Sequence, residues 1–354
     1  TSALPVLETD IGPPNMGLNL RQRYRFLFRV RLSGNRVACE FAHILSDGTG
    51  CMAFLKALLA EYFRILGVTS TPLPGDVRVG DTPSAEEHED AYHRYYRPGV
   101  PPPGKQGQAY HIDSKLLPKG QYRVTCGVVS VEGLSAQAKS RGVSINDLVV
   151  AAYMDALITT RQAELDAGKK PRPVVSLEVP VNLRKFYPTK TLRNFSLFAL
   201  PAIDLRPGGF SFDELVKRAH HLMRLEGDER RMATHVSRNA RAGRSIMIRL
   251  VPVWLKDFFA RLFFESMGEG MMSGMLSNLG PVSMPQELEA HIERFDFVGA
   301  PSTIIKTGAS MLSWKGMAYI SFHSLAQSRD VERLFFSRLA WLGLDVRVES
   351  SMEV

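Results

Sequence analysis

Hydrophobic and polar residues alternate along one early stretch of the chain and repeat at helical spacing in the next. Residues 23–34 and 35–43 alternate apolar with polar side chains on either side of a Ser-Gly-Asn turn, a pattern typical of a β-hairpin. Residues 49–67 instead bring Phe and Leu back every three or four positions, which predicts an amphipathic helix with Thr49 as its N-cap and Gly67 at its end. Residues 41–50 therefore form a strand-to-helix junction.

The next segment separates two halves of the chain. Residues 68–119 hold eight prolines and an acidic run at 84–90, which predicts a long connection with at most one short helix. Beyond it, strand-like and helix-like stretches follow each other without strict alternation, which predicts an α+β fold, a mixed-sheet α/β sandwich. We expect an N-terminal subdomain over 1–119, including the connection, and a C-terminal subdomain over 120–354. The predicted strands are 121–130, 172–184, 194–205, 274–283, a hairpin within 311–324, and 344–350; the predicted helices are 131–142, 144–165 with Ser144 as N-cap, 211–226 and 330–343.

The composition is that of an ordinary globular protein with a basic balance. Hydrophobic residues make up 45% and charged residues 23% of the 354 positions, and the formal net charge is +8. A positive balance suits an anionic partner. The densest basic run, 228–249, is interpreted as a solvated helix face, with contact to a phosphate-bearing cofactor or an acidic carrier protein as the alternative. Zinc-finger spacing and RNA-binding aromatic signatures are absent, so we expect no nucleic-acid partner.

The cysteines and the most apolar stretch limit the cellular context. Cys39, Cys51 and Cys126 are few and unpaired in spacing, which argues for a reducing compartment and against a disulfide scaffold or structural zinc. With no secretory signal at the start, the expected location is the cytoplasm. Charges and Pro252 interrupt residues 245–264, so we interpret them as amphipathic helices on a core, kinked at Pro252. A membrane-surface helix is the alternative, and we expect no membrane association.

The junction sequence FAHILSDGTG, residues 41–50, carries the main candidate chemistry. A histidine titrates near neutrality, so His43 at the end of a strand is a candidate general base. Asp47 on the following turn could be held by a distant basic residue, and such a pair would fix the loop that carries His43. Gly48 is expected to permit a turn that other residues would strain. The alternative for His43 is an ordinary histidine with a structural role.

This junction resembles a known family signature. HILSDGTG is similar to the HxxxDG motif of the chloramphenicol acetyltransferase-like superfamily, which includes condensation domains of peptide synthetases, wax ester synthases and alcohol acetyltransferases. Three further stretches resemble the family in the expected order, and the resemblance covers roughly residues 20–350. The sequences of these stretches are most similar to those of bacterial alcohol acetyltransferase-type proteins. Those stretches are SINDLVVAAYMDAL (144–157), VPVNLRKFYPTKTLRNFSLFALPA (179–202) and SNLGPV (277–282).

The resemblance implies two similar subdomains with a channel between them. It implies that His43 deprotonates an alcohol or amine, which attacks an acyl thioester on CoA or carrier phosphopantetheine without an acyl-enzyme. Asp47 would be structural and paired with Arg184, whose place in VPVNLR matches the family's partner arginine. Ser277 and Asn278 would place the thioester or its oxyanion, and a positioned donor contributes about 3 kcal/mol in acyl-transfer enzymes.

The implied partners follow from that chemistry. We expect no tightly bound cofactor and no metal, with acyl-CoA or a phosphopantetheine thioester as co-substrate, a small alcohol or amine as acceptor, and an acyl carrier protein as a further partner. Ala42 replaces the first of two adjacent histidines found in many members. The 42 residues before His43 are too few for the family's usual elements, so we expect a first subdomain lacking its N-terminal elements, supplied by a separate chain or by residues preceding Thr1. The alternative function is a non-catalytic relative that binds a thioester carrier or a protein partner.

Overall fold

The computed structural model describes the chain in several ranges. They are residues 5, 7–15, 18, 26–101, 103–104, 107–244, 251–252, 269–300 and 302–350. The amphipathic helices expected at 245–264 and their kink lie outside these residues, apart from 251–252.

A small sheet and one long helix form the N-terminal part. Strands β1 (Leu7–Thr9), β2 (Phe28–Ser33) and β3 (Arg36–Phe41) lie in the order β1-β2-β3, with β1 parallel to β2. The expected hairpin is confirmed: β2 and β3 pair in antiparallel register from Phe28 opposite Phe41 to Ser33 opposite Arg36. Helix α1 (Gly48–Ile65) follows the hairpin.

The connection contains more structure than its composition predicted. A 3₁₀ turn at Ala85–His88 and a short helix α2 (Ala91–Arg94) replace the single short helix expected at most. Both begin at polar caps: Ser84 and Glu87 form a reciprocal capping box, and the Asp90 carboxylate accepts the backbone N–H of Tyr92. Proline-rich composition thus did not prevent local capping.

An eight-stranded mixed sheet dominates the remainder of the described chain. Its order is β11-β4-β10-β9-β8-β5-β6, and β7 also pairs with β5. Strand β8 runs parallel to both of its neighbours, while the other pairs are antiparallel. The expected mixed-sheet α/β architecture is therefore present. The elements are β4 (Arg123–Ser130), α3 (Val131–Lys139), α4 (Ile145–Asp166), β5 (Val174–Asn182), β6 (Ser196–Ala199), β7 (Ala202–Asp204), α5 (Phe212–Glu226), α6 (Glu229–Arg244), β8 (Gly274–Pro281), α7 (Gln286–Glu289), β9 (Thr307–Trp314), β10 (Met317–Ser324), α8 (Asp330–Trp341) and β11 (Val346–Ser350).

One expected strand is interrupted. Residues 194–205 were predicted as a single strand, but they form β6 and β7 with Leu200 and Pro201 between them. Proline has no N–H to donate to a ladder, so the pairing with β5 breaks there. The Pro201 carbonyl still accepts the backbone N–H of Leu177 at 3.2 Å, which keeps both pieces on β5.

The sheet is covered on both faces. On one face, α4, α5 and α8 pack against the strands around fully buried residues such as Leu148, Leu177 and Phe335. On the other face, Leu312 and Trp314 belong to a smaller cluster, against which half-buried apolar residues of α1 also pack. Helix α1 therefore contacts both the N-terminal sheet and the large sheet. The motif at the start of α1 lies where the two sheets meet.

Candidate active site

Asp47 begins helix α1. Its carboxylate oxygen Oδ1 accepts the backbone N–H groups of Thr49 at 3.1 Å and Gly50 at 3.2 Å. The expectation that Thr49 is the N-cap is wrong, because the helix starts at Gly48 and the Asp47 side chain satisfies its first free N–H groups. The aspartate of the motif is thus built into the helix end, which fixes the turn that follows His43.

The second carboxylate oxygen of Asp47 binds the C-terminal half of the chain. Oδ2 accepts Nη1 of Arg184 at 2.7 Å and the backbone N–H of Phe195 at 2.8 Å. The side chains are 4% and 14% exposed, so the pair is largely shielded from water. The structure brings Asp47 and Arg184 together across 137 residues of sequence. The four hydrogen bonds to this carboxylate, two from α1 and two from Arg184 and Phe195, fix the position of the motif turn relative to the β5–β6 loop.

Arg184 passes this restraint on to His43. Its Nε donates to the Thr191 carbonyl at 3.0 Å and its Nη2 to the Arg193 carbonyl at 2.8 Å, which holds the loop that leads into β6. The next residue, Asn194, donates through Nδ2 to the His43 carbonyl at 3.2 Å and lies 3.1 Å from Nδ1 of the imidazole. His43 itself is exposed and lines the large cleft. Its position therefore depends on a chain of contacts from Asp47 through Arg184 to Asn194.

Close packing explains the glycines of the motif differently from the sequence expectation. The φ angle of Gly48 is not left-handed, so the strained turn expected there is absent. A Cβ at Gly48 would lie 2.5 Å from the flexible Leu279 side chain, whereas a Cβ at Gly50 would lie 2.4 Å from the Leu192 carbonyl oxygen. Backbone cannot yield as a side-chain end can. The position that requires glycine is Gly50.

Ser277 and Asn278 lie in strand β8, and the next residue, Leu279, packs against Gly48 of the motif. Ser277 is half-buried and lines the cleft, and Asn278 also lines it. The Asn278 carbonyl Oδ1 accepts the backbone N–H of Gly280 at 2.8 Å, and Nδ2 donates to Oδ1 of Asn146 at 3.2 Å. One Nδ2 hydrogen is thereby used to hold β8 on the start of α4. The role of Ser277 and Asn278 toward a thioester stays a prediction.

The cleft is large, and strand β5, which forms its floor, presents a polar side chain at each end of the exposed stretch. It has a volume of about 3550 Å³, several times the roughly 300–1,000 Å³ of an ordinary small-molecule site. Because side chains alternate along β5, Glu178, Pro180 and Asn182 face it together. Asn182 Nδ2 donates to Oγ1 of Thr49 at 3.2 Å, beside the motif. Burial and the neighbouring Glu269 carboxylate raise the pKa of Glu178 to about 7.

The cysteine nearest the motif is a poor nucleophile. Cys51 lines the cleft one turn into α1. Burial raises the pKa of its thiol to about 12, and the charges of Asp47 and Cys39 act in the same direction. A hydrogen bond with Ser46 acts in the opposite direction but does not offset them. Thiolate is the reactive form of cysteine, so almost none is present at neutral pH. A covalent intermediate on Cys51 is therefore disfavoured.

The described ranges show neither a metal-binding cluster nor a membrane-spanning helix. They contain no cluster of three or more His, Cys, Asp or Glu residues suited to a metal ion. Within the same ranges, no helix combines the length and apolar character needed to cross a bilayer.

Sequence reasoning missed three residues of this site. Asn194 lies within the stretch 179–202 that resembles the family, but the sequence assigns it no role, although it is the residue that touches His43. Gly50 was overlooked because its requirement comes from Leu192, which is distant in sequence. Glu178 did carry a signal, since a lone carboxylate in the apolar run VVSLEVPV is unusual in a buried strand.

Comparison with solved structures identifies the fold. The polyketide synthase associated protein 5 from Mycobacterium tuberculosis matches 95% of this chain and 79% of its own, with a TM-score of 0.51 and 14% identity. Since identity is low, this match shows a common fold and not a common activity. The expected mixed-sheet α/β fold is thereby confirmed.

Two further matches fall below a TM-score of 0.5 and add nothing to that assignment. The wax ester synthase/diacylglycerol acyltransferase from Marinobacter aquaeolei VT8 aligns with 91% of this chain and 73% of its own at a TM-score of 0.46 and 15% identity. The nonribosomal peptide synthetase FmoA3 aligns at 0.49 and 16% identity, and this chain spans only 32% of its length. No protein-family model and no curated protein matches the sequence.

Proposed function

We propose that the protein is an acyltransferase that moves an acyl group from a CoA-type thioester to an alcohol or amine, with His43 as general base. The observation that carries the proposal is the continuous set of contacts from the buried Asp47–Arg184 pair through Asn194 to the exposed imidazole of His43 at a cleft. Such a set costs conformational freedom in several side chains, and its effect is to hold one imidazole toward solvent-accessible space. The cleft volume accommodates both substrates at once.

The reaction balances without a covalent enzyme intermediate. The imidazole of His43 takes the proton of the acceptor O–H or N–H, and the acceptor attacks the thioester carbonyl carbon. The tetrahedral oxyanion then collapses, the C–S bond breaks, and the imidazolium returns the proton to the thiolate. Ser277 and Asn278, which line the cleft from β8, are the candidate donors for the oxyanion. Asp47 and Arg184 are positioning residues.

Base action places one condition on Asn194. Its Nδ2 can only donate, so Nδ1 of His43 accepts, and the neutral imidazole carries its proton on Nε2. A base that acts through Nε2 needs the proton on Nδ1 instead. A half-turn of the Asn194 amide would present Oδ1 to an Nδ1–H group, at the loss of the Nδ2 hydrogen bond to the His43 carbonyl at 3.2 Å and of the Ser196 N–H bond to Oδ1 at 3.4 Å. The observed orientation is the specific observation that favours the alternative, a non-catalytic relative that binds a thioester carrier or a protein partner.

The decisive experiment measures thiol release. Wild type is incubated with acetyl-CoA and longer acyl-CoAs, each with a panel of alcohols and amines, beside His43→Ala and the matched control His93→Ala, an exposed histidine on α2. Acceptor-dependent release should fall about 10²–10⁴-fold in His43→Ala and stay unchanged in His93→Ala. All three proteins should unfold at the same urea concentration, because both histidines are exposed.

Two other outcomes have separate meanings. Release that persists in His43→Ala would overturn the general-base assignment. A folded wild type without release from any CoA donor, and from carrier-bound thioesters tested next, would favour the non-catalytic alternative. That alternative expects carrier binding that survives His43→Ala.

A further inference from the structure

The cleft floor carries a carboxyl group that no described basic side chain neutralises. Glu178 faces the cleft from β5, with Met275 beside it in the parallel register of β8. Within the ranges that the structure describes, its side chain forms neither an ion pair nor a hydrogen bond. An unpaired half-buried carboxylate costs free energy. Within the described residues, no contact compensates the Glu178 charge, so a structural role does not explain it.

The described charged group that acts on the pKa of Glu178 has the same sign. Glu269, just before β8, accepts the Ser302 hydroxyl at 2.9 Å and is the carboxylate that adds to the effect of burial on Glu178. With a pKa of about 7, Glu178 is partly ionised at neutral pH. A cation placed beside it would favour the ionised form and would relieve the repulsion from Glu269.

A second unsatisfied polar group lines the cleft from its wall, next to Phe198, whose register partner Pro180 lies two residues from Glu178. His235 on α6 is only 9% exposed, and its Nδ1 has no hydrogen-bond partner in the described part of the chain. Burial, with Arg238 and Arg231, lowers the pKa of this imidazole to about 4, so it is neutral at pH 7 and one ring nitrogen can accept a hydrogen bond. Its ring centre lies 6.2 Å from that of Phe198 on the floor.

The basic residues of the same wall do not pair with Glu178. Arg231 lines the cleft, but its guanidinium binds Glu226 at 2.8 Å, which neutralises it. Arg238, almost one turn beyond His235, also lines the cleft, and its charge adds to the lowering of the His235 pKa; its Nε lies 3.4 Å from Oδ1 of Asn239. Among the described side chains, Glu178 on the floor therefore has no cationic partner, and His235 on the wall offers a neutral ring nitrogen.

We infer that Glu178 and His235 bind an ammonium group at the far end of one substrate, with the face of the Phe198 ring beside it. The inference rests on the proposed function and adds a substrate class to it. Glu178 lies four residues from Asn182 at the motif end, which is about 13 Å along a strand. Pro180 and Phe198 lie between them, opposite one another in the β5–β6 register. The substrate is therefore long, apolar in its middle and cationic at its end.

A binding experiment tests this independently of turnover. Wild type is titrated calorimetrically with an ω-amino alcohol and with the n-alcohol of the same chain length, without thioester. We expect roughly tenfold tighter binding of the amino alcohol, because hydrogen bonds between charged groups contribute more than neutral ones. Glu178→Gln should abolish the preference, and Glu132→Gln on α3, outside the cleft, should keep it. Equal binding of both alcohols by wild type, or a full preference in Glu178→Gln, would overturn the inference.

Two further measurements sharpen the result. The preference should be larger at about pH 8 than at about pH 6, since Glu178 is ionised above a pKa of about 7 and the amine stays protonated; a preference unaffected by pH would contradict its dependence on Glu178. His235→Phe should reduce it several-fold, and an unchanged preference there would remove His235 from the site. A parallel titration with ω-amino acyl thioesters shows whether donor or acceptor carries the amine. Failure of the proposed function would appear as absent thiol release while the binding preference persists.

Discussion

The Asp47 carboxylate has every acceptor position used, and this makes it sensitive to change. It accepts two N–H groups of α1, one from Phe195 and one from the Arg184 guanidinium, at distances from 2.7 to 3.2 Å. Removing one of these partners would leave a buried carboxylate short of a hydrogen bond or of its counter-ion, which costs free energy. At the residue scale, the pair therefore stabilises the fold and places the site at the same time.

Removing the cation alone should be costly. Arg184→Met leaves the buried Asp47 charge without its counter-ion and should lower the free energy of unfolding by about 3 kcal/mol. Urea denaturation measures this, with Arg206→Met as matched control, because the Arg206–Asp204 pair is exposed and should not change stability measurably. The double variant Asp47→Asn/Arg184→Met should lose less than the sum of the single losses. Strict additivity would show that the two residues do not interact.

At the element scale, local signals predicted what local contacts decide. The helices that begin after Ser144 and Ser211 were found because each cap and its acidic partner lie three residues apart in sequence. The start of α1 was misplaced from Asp47 to Thr49, because the choice between two polar residues depends on Arg184 and Phe195, which lie far away in the chain. Local sequence contains no record of such contacts, and only the family resemblance pointed to Arg184.

The close packing of α1 against the β5–β6 loop predicts that a side chain at Gly50 destabilises the protein. Gly50→Ala would place a Cβ 2.4 Å from the Leu192 carbonyl oxygen and 2.1 Å from Oγ of Ser46. Because backbone must move, the variant should lose about 1–3 kcal/mol of unfolding free energy. Gly209→Ala is the matched control, since open space surrounds that position and its φ is not left-handed. If both variants unfold at the same urea concentration, the packing at Gly50 is looser than described.

At the scale of the whole molecule, sheet order and burial could not be derived from sequence. The order β11-β4-β10-β9-β8-β5-β6 joins strands from both ends of the C-terminal part, and nothing in any single strand specifies its neighbour. The hairpin at 311–324 was predicted because its Lys315-Gly316 turn is local. The sequence could not predict that His323 on this hairpin is only 2% exposed. Its burial requires the helices on the sheet and the loop around Gly299 to be in place.

The burial of His323 links global stability to pH. Burial lowers the pKa of its imidazole to about 4, whereas in the unfolded chain it is about 6.5. Above about pH 6.5 both states are neutral and stability is unaffected. Below that value the unfolded state binds a proton that the folded state refuses, so stability falls until the folded pKa is reached. From about pH 7 to about pH 5 this histidine should contribute a loss of about 2 kcal/mol.

Urea unfolding at the two pH values, compared between variants, isolates that contribution. His323→Gln cannot titrate, so it should lose about 2 kcal/mol less than wild type between about pH 7 and about pH 5, whatever its stability at pH 7. His93→Gln changes an exposed histidine and should keep the wild-type pH dependence. The buried His235 titrates in both proteins and cancels in the comparison. An identical pH dependence in wild type and His323→Gln would mean that the folded protein admits a proton at His323, and that the central strands β9 and β10 open to water before the molecule unfolds.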